Sequence, residues 1–230
     1  MKAMILAAGR GQRMAPLTDH CPKPLLPLAG KPLIVHHIEK LVAAGITELV
    51  INHAWLGNML ETQLQDGQQW GATIRYSAEA VALETAGGVR QALPLLGDQP
   101  FLLINGDVWT DWDYQEAVRI SSSGVLDDGT LAWLWLTDNP LHNPAGDFSL
   151  DGTEVAAEAG DQGLTFTGIS LIHPDLLAGI PLGKQALAPI LRQAMARKQI
   201  KGCLLNGCWT DVGTPQRLVE LEQQLTRETF

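Results

Sequence analysis

Residues 3–14 read AMILAAGRGQRM, and this stretch decides the fold that we predict for the chain. Its opening apolar run, AMIL, has the character of a strand that is buried on both faces. Two alanines and then Gly9 and Gly11 follow, and glycine allows several backbone N–H groups to approach a phosphate closely. The stretch therefore predicts a buried strand that leads into a phosphate-binding loop.

Strand and helix patterns alternate through the first half of the chain. They predict strands at 3–6, 48–52, 73–76 and 101–104, with helices at 32–44, 56–64 and 85–95. This alternation is typical of βαβ units, which build a mostly parallel sheet covered by helices on both faces. We therefore expect a three-layer α/β/α fold with a mixed, mostly parallel central sheet.

The second half of the chain has a different pattern. The segments LAWLWL, DFSLDGTEV and LTFTGISLI indicate strands that are partly antiparallel and form a small extension. A last helix is predicted over about 215–225, with Thr214 as its N-cap and proline in its first turn. Since no linker or low-complexity segment interrupts the chain, we expect one domain over 1–230, with halves at 1–110 and 111–230.

The composition favours a globular protein and argues against several other classes. The chain has 230 residues, 46% of them hydrophobic, and a formal net charge of −9 from 16 basic and 25 acidic residues. Such an acidic surface repels the phosphates of nucleic acid. No apolar run has the length of a membrane helix, and the first one is too short for a secretory signal peptide. With an odd number of cysteines, three, we expect a reducing, cytoplasmic setting without nucleic-acid or membrane partners.

Polar and acidic residues follow two of the predicted strands. Asn105-Gly106-Asp107 comes directly after the strand at 101–104, and Asp211 ends a late strand in GCWTDVGTP. Ligands of open α/β sheets bind beyond the carboxyl ends of the strands. A single aspartate at such a place is typical of a turn or a helix cap, but two of them together with a phosphate loop favour a divalent metal site.

Two cations accompany the glycines. Arg13 follows Gly11, and Lys23 lies between prolines that stiffen its backbone. A triphosphate needs such fixed cations as well as backbone donors. The stretch lacks the third glycine of the dinucleotide-binding pattern and the Gly-Lys-Ser/Thr of the Walker pattern. An NAD-binding domain is therefore a weaker interpretation than a nucleoside triphosphate site.

The residues LAAGRGQRMAPLT, followed by CPKPLLPLAGKPLI, resemble the signature of the sugar-phosphate nucleotidyltransferases. These enzymes join a nucleoside triphosphate to a sugar 1-phosphate. The resemblance implies their Rossmann-like fold, with the nucleotide held by 1–110, the sugar phosphate held by 111–230 and a sugar-binding role for the antiparallel extension. It also implies that Mg²⁺ is held by Asp107 and Asp211.

The resemblance further implies a role for each matching residue. The catalytic set is Arg13, Lys23, Asp107 and Asp211. The nucleotide-binding set is Ala8, Gly9, Gly11, Gln12, Arg13, Lys23, Glu79, Thr85 and Asn105. The substrate-binding set is Gly106, Gly146, Asp147 and Glu158.

Many family members carry a Glu-Lys-Pro stretch that binds the sugar and its phosphate, and this chain lacks it, so no residue is assigned as the cation for the sugar phosphate. The short form with NGDVWTD resembles the uridylyltransferases of peptidoglycan recycling, which implies UTP and a sugar 1-phosphate as substrates. Alternatives are a mannose- or glucose-1-phosphate nucleotidyltransferase using GTP, UTP or dTTP, and a catalytically silent nucleotide-sugar sensor. The sequence does not indicate an oligomeric state.

Overall fold

The computed structural model describes residues 1–160 and 163–228. Its strands are β1 (Ala3–Leu6), β2 (Pro27–Leu28), β3 (Lys31–Pro32), β4 (Glu48–His53), β5 (Thr73–Ala78), β6 (Phe101–Asn105), β7 (Val108–Thr110), β8 (Ala132–Thr137), β9 (Ser149–Asp151), β10 (Glu154–Ala156), β11 (Thr165–Ile172), β12 (Ile200–Leu204) and β13 (Trp209–Asp211). Its α-helices are α1 (Leu33–Ala43), α2 (Gly57–Leu64), α3 (Glu84–Leu96), α4 (Gln115–Ser122), α5 (Leu187–Met195) and α6 (Pro215–Glu228).

Nine strands form one mixed sheet in the order β5-β4-β1-β6-β11-β8-β12-β10-β9. The strands β5, β4, β1 and β6 are parallel to one another. The strand β11 is antiparallel to both β6 and β8, and β12 returns parallel to β8. Two smaller antiparallel ribbons, β2–β3 and β7–β13, lie outside this sheet.

Helices cover both faces of the sheet because alternate residues of its strands point to opposite sides. In β1, Ala3 and Ile5 pack in the core cluster that contains side chains of α1, α2 and α4, whereas Met4 packs in the cluster with α3 and α5. The strands β4 and β6 divide their residues in the same way. The predicted three-layer α/β/α architecture is therefore confirmed.

A third core cluster lies outside the sheet and joins three distant parts of the chain. Met14 of the loop after β1 packs there with Trp109 of β7, Val212 after β13, and Leu218 and Leu221 of α6. Burying these apolar side chains stabilises the arrangement by removing their surface from water. The cluster therefore links the glycine-containing loop to the β7–β13 ribbon and the last helix.

The predicted elements of the first half are present, with ends that differ by one or two residues. In the second half the segments LAWLWL and LTFTGISLI form β8 and β11 in the middle of the large sheet. The segment DFSLDGTEV forms a small antiparallel hairpin, β9–β10, at one edge of the same sheet. The last helix begins as predicted, since the Thr214 hydroxyl accepts a hydrogen bond from the Arg217 N–H at 3.3 Å. Among the described residues, no helix is both long and apolar enough to cross a membrane.

Candidate active site

The carboxyl end of β1 lies between two asparagines. In the register of the sheet, Leu6 pairs with Asn52 of β4 on one side and with Asn105 of β6 on the other. The Asn52 side chain oxygen accepts a hydrogen bond from the Ala7 N–H at 2.9 Å. The buried Asn52 therefore fixes the point at which the chain leaves β1 and enters the glycine loop, residues 7–14.

The glycine loop makes a tight turn beside the strand ends. Gly11 has a φ of 66°, in the left-handed region that favours glycine, and its carbonyl accepts a hydrogen bond from the Thr18 hydroxyl at 2.8 Å. Arg10 forms an ion pair with Asp19 at 2.7 Å. The exposed Arg13 side chain has no hydrogen bond or ion pair within the described part of the chain. Arg13 is therefore the loop cation that can turn toward an anion without breaking an existing pair.

Lys23 and Asp107 meet at the base of the loop. The Lys23 ammonium lies 2.7 Å from the Asp107 Oδ2 atom, and Lys23 is only 7% exposed. A buried ammonium is costly unless it is paired, and the Asp107 carboxylate supplies that partner. Lys23 starts a short 3-10 helix between two prolines, which fixes its backbone at this point.

Gly106 brings Asp107 against β1. Its N–H donates a hydrogen bond to the Leu6 carbonyl at 2.9 Å. A Cβ atom at position 106 would lie 2.5 Å from the same carbonyl oxygen, so a larger residue would push the segment away. The glycine of the Asn105-Gly106-Asp107 stretch is therefore needed for close approach of two strand ends.

Asp211 lies beside Asp107 in the β7–β13 ribbon. Asp211 pairs with Val108, and the Val212 N–H donates to the Asp107 carbonyl at 2.7 Å. The Asp211 carboxylate forms an ion pair with Arg217, and its Oδ1 atom lies 2.8 Å from the His142 Nε2 atom. The ribbon thus makes the two aspartates backbone neighbours, although their carboxylates have different partners, and the shared magnesium site stays a prediction.

The donor set fits Mg²⁺ when phosphates supply further oxygens. Among the described residues, no group of three or more His, Cys, Asp or Glu side chains could hold a metal ion by itself. Mg²⁺ is usually bound by one or two carboxylates together with substrate phosphates and water. A Cβ built on Gly213, which lines the same cavity as Asp107, would lie 3.0 Å from the Asp211 Oδ2 atom. Asp211 itself does not line this cavity; it lines a separate cavity of about 500 Å³ together with His142 and Arg217.

A cavity of about 620 Å³, the first cavity, opens between the glycine loop and the strand ends. It is lined by every residue of the predicted nucleotide-binding set except Glu79, and by Gly106 and Asp107. Arg10, Asn52, Ala82 and Glu84 also line it. The structure therefore brings most of the predicted set together around one space.

Glu79 lies behind the first cavity. The residue is 6% exposed, and its two carboxylate oxygens accept hydrogen bonds from the Asn52 amide at 2.7 Å and from the Leu83 N–H at 2.8 Å. A chain of contacts therefore runs from Glu79 through Asn52 to the Ala7 N–H of the glycine loop. In this arrangement Glu79 orients a cavity-lining residue, and its predicted contact with the nucleotide is left without support.

A second cavity of about 390 Å³ adjoins the first and shares Glu84, Thr85 and Asn105 with it. Of the predicted substrate-binding set, Asp147 lines this second cavity and Gly106 lines the first. Gly146, with a φ of 70°, turns the chain just before Asp147 but lines neither cavity. Glu158 is exposed and lines neither cavity, so the structure does not bring it to the site.

Sequence reasoning missed Asn52, Arg10 and Arg192, all of which line one of the two cavities. A signal for Asn52 is present in the sequence, because β4 and β6 both end an apolar run with asparagine, as LVIN and LLIN. Arg192 carries no such local signal, since it lies on α5, far along the chain from the other lining residues. Its place in the second cavity depends on how α5 packs against the sheet.

A buried histidine supports the strand that follows Asp107. The imidazole of His37 contacts the Val108 carbonyl at 2.8 Å and the Tyr114 hydroxyl at 2.7 Å. Burial lowers the pKa of His37 to about 4, so the ring is neutral near neutral pH, and it raises the pKa of Tyr114. A neutral ring that donates to Val108 must accept from Tyr114, so both ring nitrogens are satisfied.

Known proteins resemble the chain in sequence and in fold. The family model described as nucleotidyl transferase matches residues 2–132. An N-acetylmuramate alpha-1-phosphate uridylyltransferase from Neisseria meningitidis is 54% identical over 226 residues, covering 96% of this chain and 97% of the relative. One with the same name from Caulobacter vibrioides is 34% identical, covering 97% and 96%. A crystal structure of a Bacillus anthracis protein, named as a glucose-1-phosphate thymidylyltransferase, aligns with a TM-score of 0.84 at 23% identity. The alignment covers 97% of this chain and 94% of that one, so the two proteins share a fold.

Proposed function

The chain belongs to the nucleotidyl transferase family, and we propose that it transfers the uridylyl group of UTP to N-acetylmuramate α-1-phosphate, releasing pyrophosphate. The observation that carries the reaction type is the meeting of the glycine loop with the Lys23–Asp107 pair in one cavity. The choice of substrates rests on similarity along nearly the whole chain to a uridylyltransferase of that name. The product would be UDP-N-acetylmuramate, a nucleotide sugar of peptidoglycan recycling.

The reaction needs no covalent enzyme intermediate. An oxygen of the sugar 1-phosphate attacks the α-phosphorus of UTP, and a new P–O bond forms as the bond from that phosphorus to the bridging oxygen of pyrophosphate breaks. The attacking phosphate is already an anion, so no general base has to remove a proton. Catalysis then consists of holding the two phosphates in line and offsetting their negative charge.

The cations and backbone donors of the first cavity suit that task. Gly9 and Gly11 present backbone N–H groups to the triphosphate, and Arg13 turns onto it from the rim. Lys23 donates from its ammonium, which has three N–H bonds, so it can bind a phosphate while keeping its contact with Asp107. Thr85 and Asn105 line both cavities and thus face the nucleotide and the sugar phosphate together.

Mg²⁺ is the proposed cofactor, with Asp107 and Asp211 as its protein ligands. When bound, it would neutralise charge on the phosphates and help to orient them. The Arg217 guanidinium and the His142 ring contact the Asp211 carboxylate and restrict its orientation. We place the reaction in the cytoplasm, where UTP is available.

A substrate panel tests the proposal directly. The purified protein is incubated with Mg²⁺ and each pair of UTP, GTP or dTTP with N-acetylmuramate, glucose or mannose 1-phosphate, and pyrophosphate release is measured. We expect the highest kcat/KM for UTP with N-acetylmuramate α-1-phosphate. A higher value for another pair would contradict the substrate assignment, and would favour the mannose or glucose alternatives.

The panel also separates an enzyme from a nucleotide-sugar sensor. A sensor would bind UDP-N-acetylmuramate in a calorimetric titration and release no pyrophosphate with any pair. The chain keeps Lys23, Asp107 and Asp211, which a protein without turnover has no need to retain. We therefore expect turnover and binding together.

A further inference from the structure

Arg192 is the only lysine or arginine among the described residues that line the second cavity. It lies on α5, which packs against the sheet through the buried side chains Leu187 and Leu191. These two leucines line the same cavity. The helix therefore presents one cation and an apolar surface to a single space.

The guanidinium of Arg192 is held in position and keeps free donors. Its Nη1 atom donates a hydrogen bond to the Ala157 carbonyl at 2.8 Å, and its central carbon lies 5.3 Å from the centre of the Phe148 ring. A guanidinium has five N–H bonds, so one such contact leaves an edge that can bind a carboxylate with two parallel hydrogen bonds. Stacking on an aromatic ring reduces the freedom that is lost on binding.

The acidic residues of the cavity already have partners. The Asp147 Oδ2 atom accepts a hydrogen bond from the Phe166 N–H at 2.8 Å, and Glu84 forms an ion pair with Lys184 at 3.3 Å. Arg192 has no carboxylate within ion-pair distance in the described part of the chain. Arg192 is therefore the group among those that line this cavity that attracts an anion.

The sugar 1-phosphate extends across both cavities, with its phosphate in one and another part of the sugar in the other. The phosphate of the sugar has to reach the first cavity, where Lys23 and Asp107 lie, and Arg192 does not line that cavity. Arg192 therefore faces another part of the sugar. N-acetylmuramate differs from N-acetylglucosamine by a lactyl ether that carries a carboxylate.

We propose that Arg192 binds the lactyl carboxylate of N-acetylmuramate α-1-phosphate and thereby selects it over sugar 1-phosphates without a carboxylate. This inference rests on the proposed function and names the residue that determines sugar specificity. The apolar side chains Phe166, Leu187 and Leu191 then contact the methyl groups and the ring of the sugar. Arg192 acts in binding and takes no part in bond formation.

Steady-state kinetics of Arg192→Gln with two acceptors test the proposal. A hydrogen-bonded charge pair contributes enough for a loss of about 10- to 100-fold. We expect KM for N-acetylmuramate α-1-phosphate to rise by that factor with little change in kcat. The kcat/KM for N-acetylglucosamine α-1-phosphate should stay within about twofold of wild type, because this acceptor lacks the carboxylate.

Two controls separate recognition from a general effect of the substitution. Arg197→Gln replaces an exposed arginine just beyond the same helix that lines neither cavity, and it should leave both acceptors unaffected. With the methyl ester of the lactyl carboxylate as acceptor, the kcat/KM of the wild type should fall about as much as it falls on substitution of Arg192. The kcat/KM of Arg192→Gln should be the same for the ester and the free acid. Thermal unfolding of each variant checks that the fold is kept.

The outcomes distinguish this inference from the function on which it rests. An equal loss on both acceptors, or no loss on either, would overturn the role of Arg192 while leaving the uridylyltransferase activity in place. A wild-type protein without turnover of N-acetylmuramate α-1-phosphate would overturn both.

Discussion

The Lys23 ammonium and the Asp107 carboxylate fix each other at the floor of the first cavity. The position of neither side chain is set by a single strand or helix. Prolines on both sides fix the lysine backbone, and the close approach of Gly106 to Leu6 fixes the aspartate. Two rigid backbones thus bring opposite charges together at a point where a phosphate can bind.

Replacing Asp107 with asparagine keeps the shape of the side chain and removes its charge. We expect a fall in kcat of at least about 100-fold with UTP and N-acetylmuramate α-1-phosphate at saturating Mg²⁺, because charge stabilisation at the phosphates is lost. The circular dichroism spectrum should be unchanged. Asp128→Asn, at an exposed position away from the cavities, is the matched control. Turnover at the wild-type rate in Asp107→Asn would refute the assignment.

Asn52 should act on the glycine loop without touching the reacting atoms. Asn52→Leu leaves the Ala7 N–H and the Glu79 Oε1 atom without a hydrogen-bond partner, at a cost of about 1–3 kcal/mol in the free energy of unfolding. We expect KM for UTP to rise more than kcat falls. Urea unfolding and UTP saturation curves measure the two effects.

Two substitutions of Glu79 serve as matched comparisons for Asn52→Leu. Glu79→Gln keeps an acceptor for the Asn52 amide and should preserve KM for UTP, whereas Glu79→Ala should resemble Asn52→Leu. A large loss of UTP binding in Glu79→Gln with normal stability would instead point to direct contact between Glu79 and the nucleotide.

At the scale of elements, the β7–β13 ribbon is held from behind by α1. His37 of α1 contacts the Val108 carbonyl, one residue after Asp107, and the Tyr114 hydroxyl. The ring is surrounded by charges of both signs, since Lys40 and His36 lower its pKa and Asp107 raises it, but burial is the largest cause of the shift. The helix therefore supports the ribbon through a neutral group.

The His37 ring makes stability depend on pH. Its pKa falls from 6.5 to about 4 on folding, so between these values the unfolded chain binds more protons than the folded one. The free energy of unfolding should therefore drop by about 2 kcal/mol from this group between pH 7 and pH 5. Urea unfolding of wild type and His37→Gln at several pH values measures the difference.

Comparing the pH dependence of the free energy of unfolding in wild type and in His37→Gln isolates the contribution of His37. The pKa of His36 is also lowered, chiefly by burial, and its contribution has the same sign in both proteins. The variant should thus keep a shallower dependence on pH over this range. Parallel curves for the two proteins would show that His37 does not titrate as expected.

The helix α6 should stabilise the protein through its inner face. Leu221, 2% exposed, packs in the third cluster, whereas Val219 on the same helix is 55% exposed. We expect Leu221→Ala to lower the free energy of unfolding by about 2–5 kcal/mol. Val219→Ala should change it by less than about 0.5 kcal/mol. Similar losses in the two variants, measured by urea unfolding, would argue against this packing.

At the scale of the whole molecule, one sheet runs through both halves of the chain. The strand β11 from the second half pairs with β6 from the first over four residue pairs, and β8 lies on its other side. Separating the halves would break the sheet in its middle and expose the core on both faces. This continuity supports the prediction of one domain.

A single cooperative transition tests the prediction of one domain. Unfolding in urea should give the same midpoint by far-ultraviolet circular dichroism and by tryptophan fluorescence. Tryptophans lie in both halves, for example Trp70 and Trp135, so fluorescence reports on each. Two separated transitions would contradict the prediction.

The sequence predicts best what depends on local pattern. The apolar run of β1, the alternating helices and the glycine loop are all read from neighbouring residues, and the structure confirms them. The central place of β11 could not be predicted, because pairing between strands far apart in the chain leaves no local trace. The same holds for Arg192, whose position depends on the packing of α5.

The burial of Glu79 shows the same limit at a single residue. Its charge and its place before a helix suggest a solvated loop. Gly88 of α3 leaves the space for its carboxylate, since a Cβ atom there would lie 2.6 Å from the Glu79 Oε1 atom. The asparagine at the end of β4 then completes the hydrogen bond. Three segments must come together before this carboxylate can be buried.

The shared wall of Glu84, Thr85 and Asn105 has a consequence for inhibition. A uridine nucleotide tethered through its phosphates to a carboxylate-bearing sugar mimic would occupy the first and the second cavity at once. Linking the two fragments makes the second docking event intramolecular, so the tethered compound should bind far more tightly than either fragment alone. Its spacer need only cross the width of that wall, which makes short bisubstrate compounds the natural inhibitors of this protein.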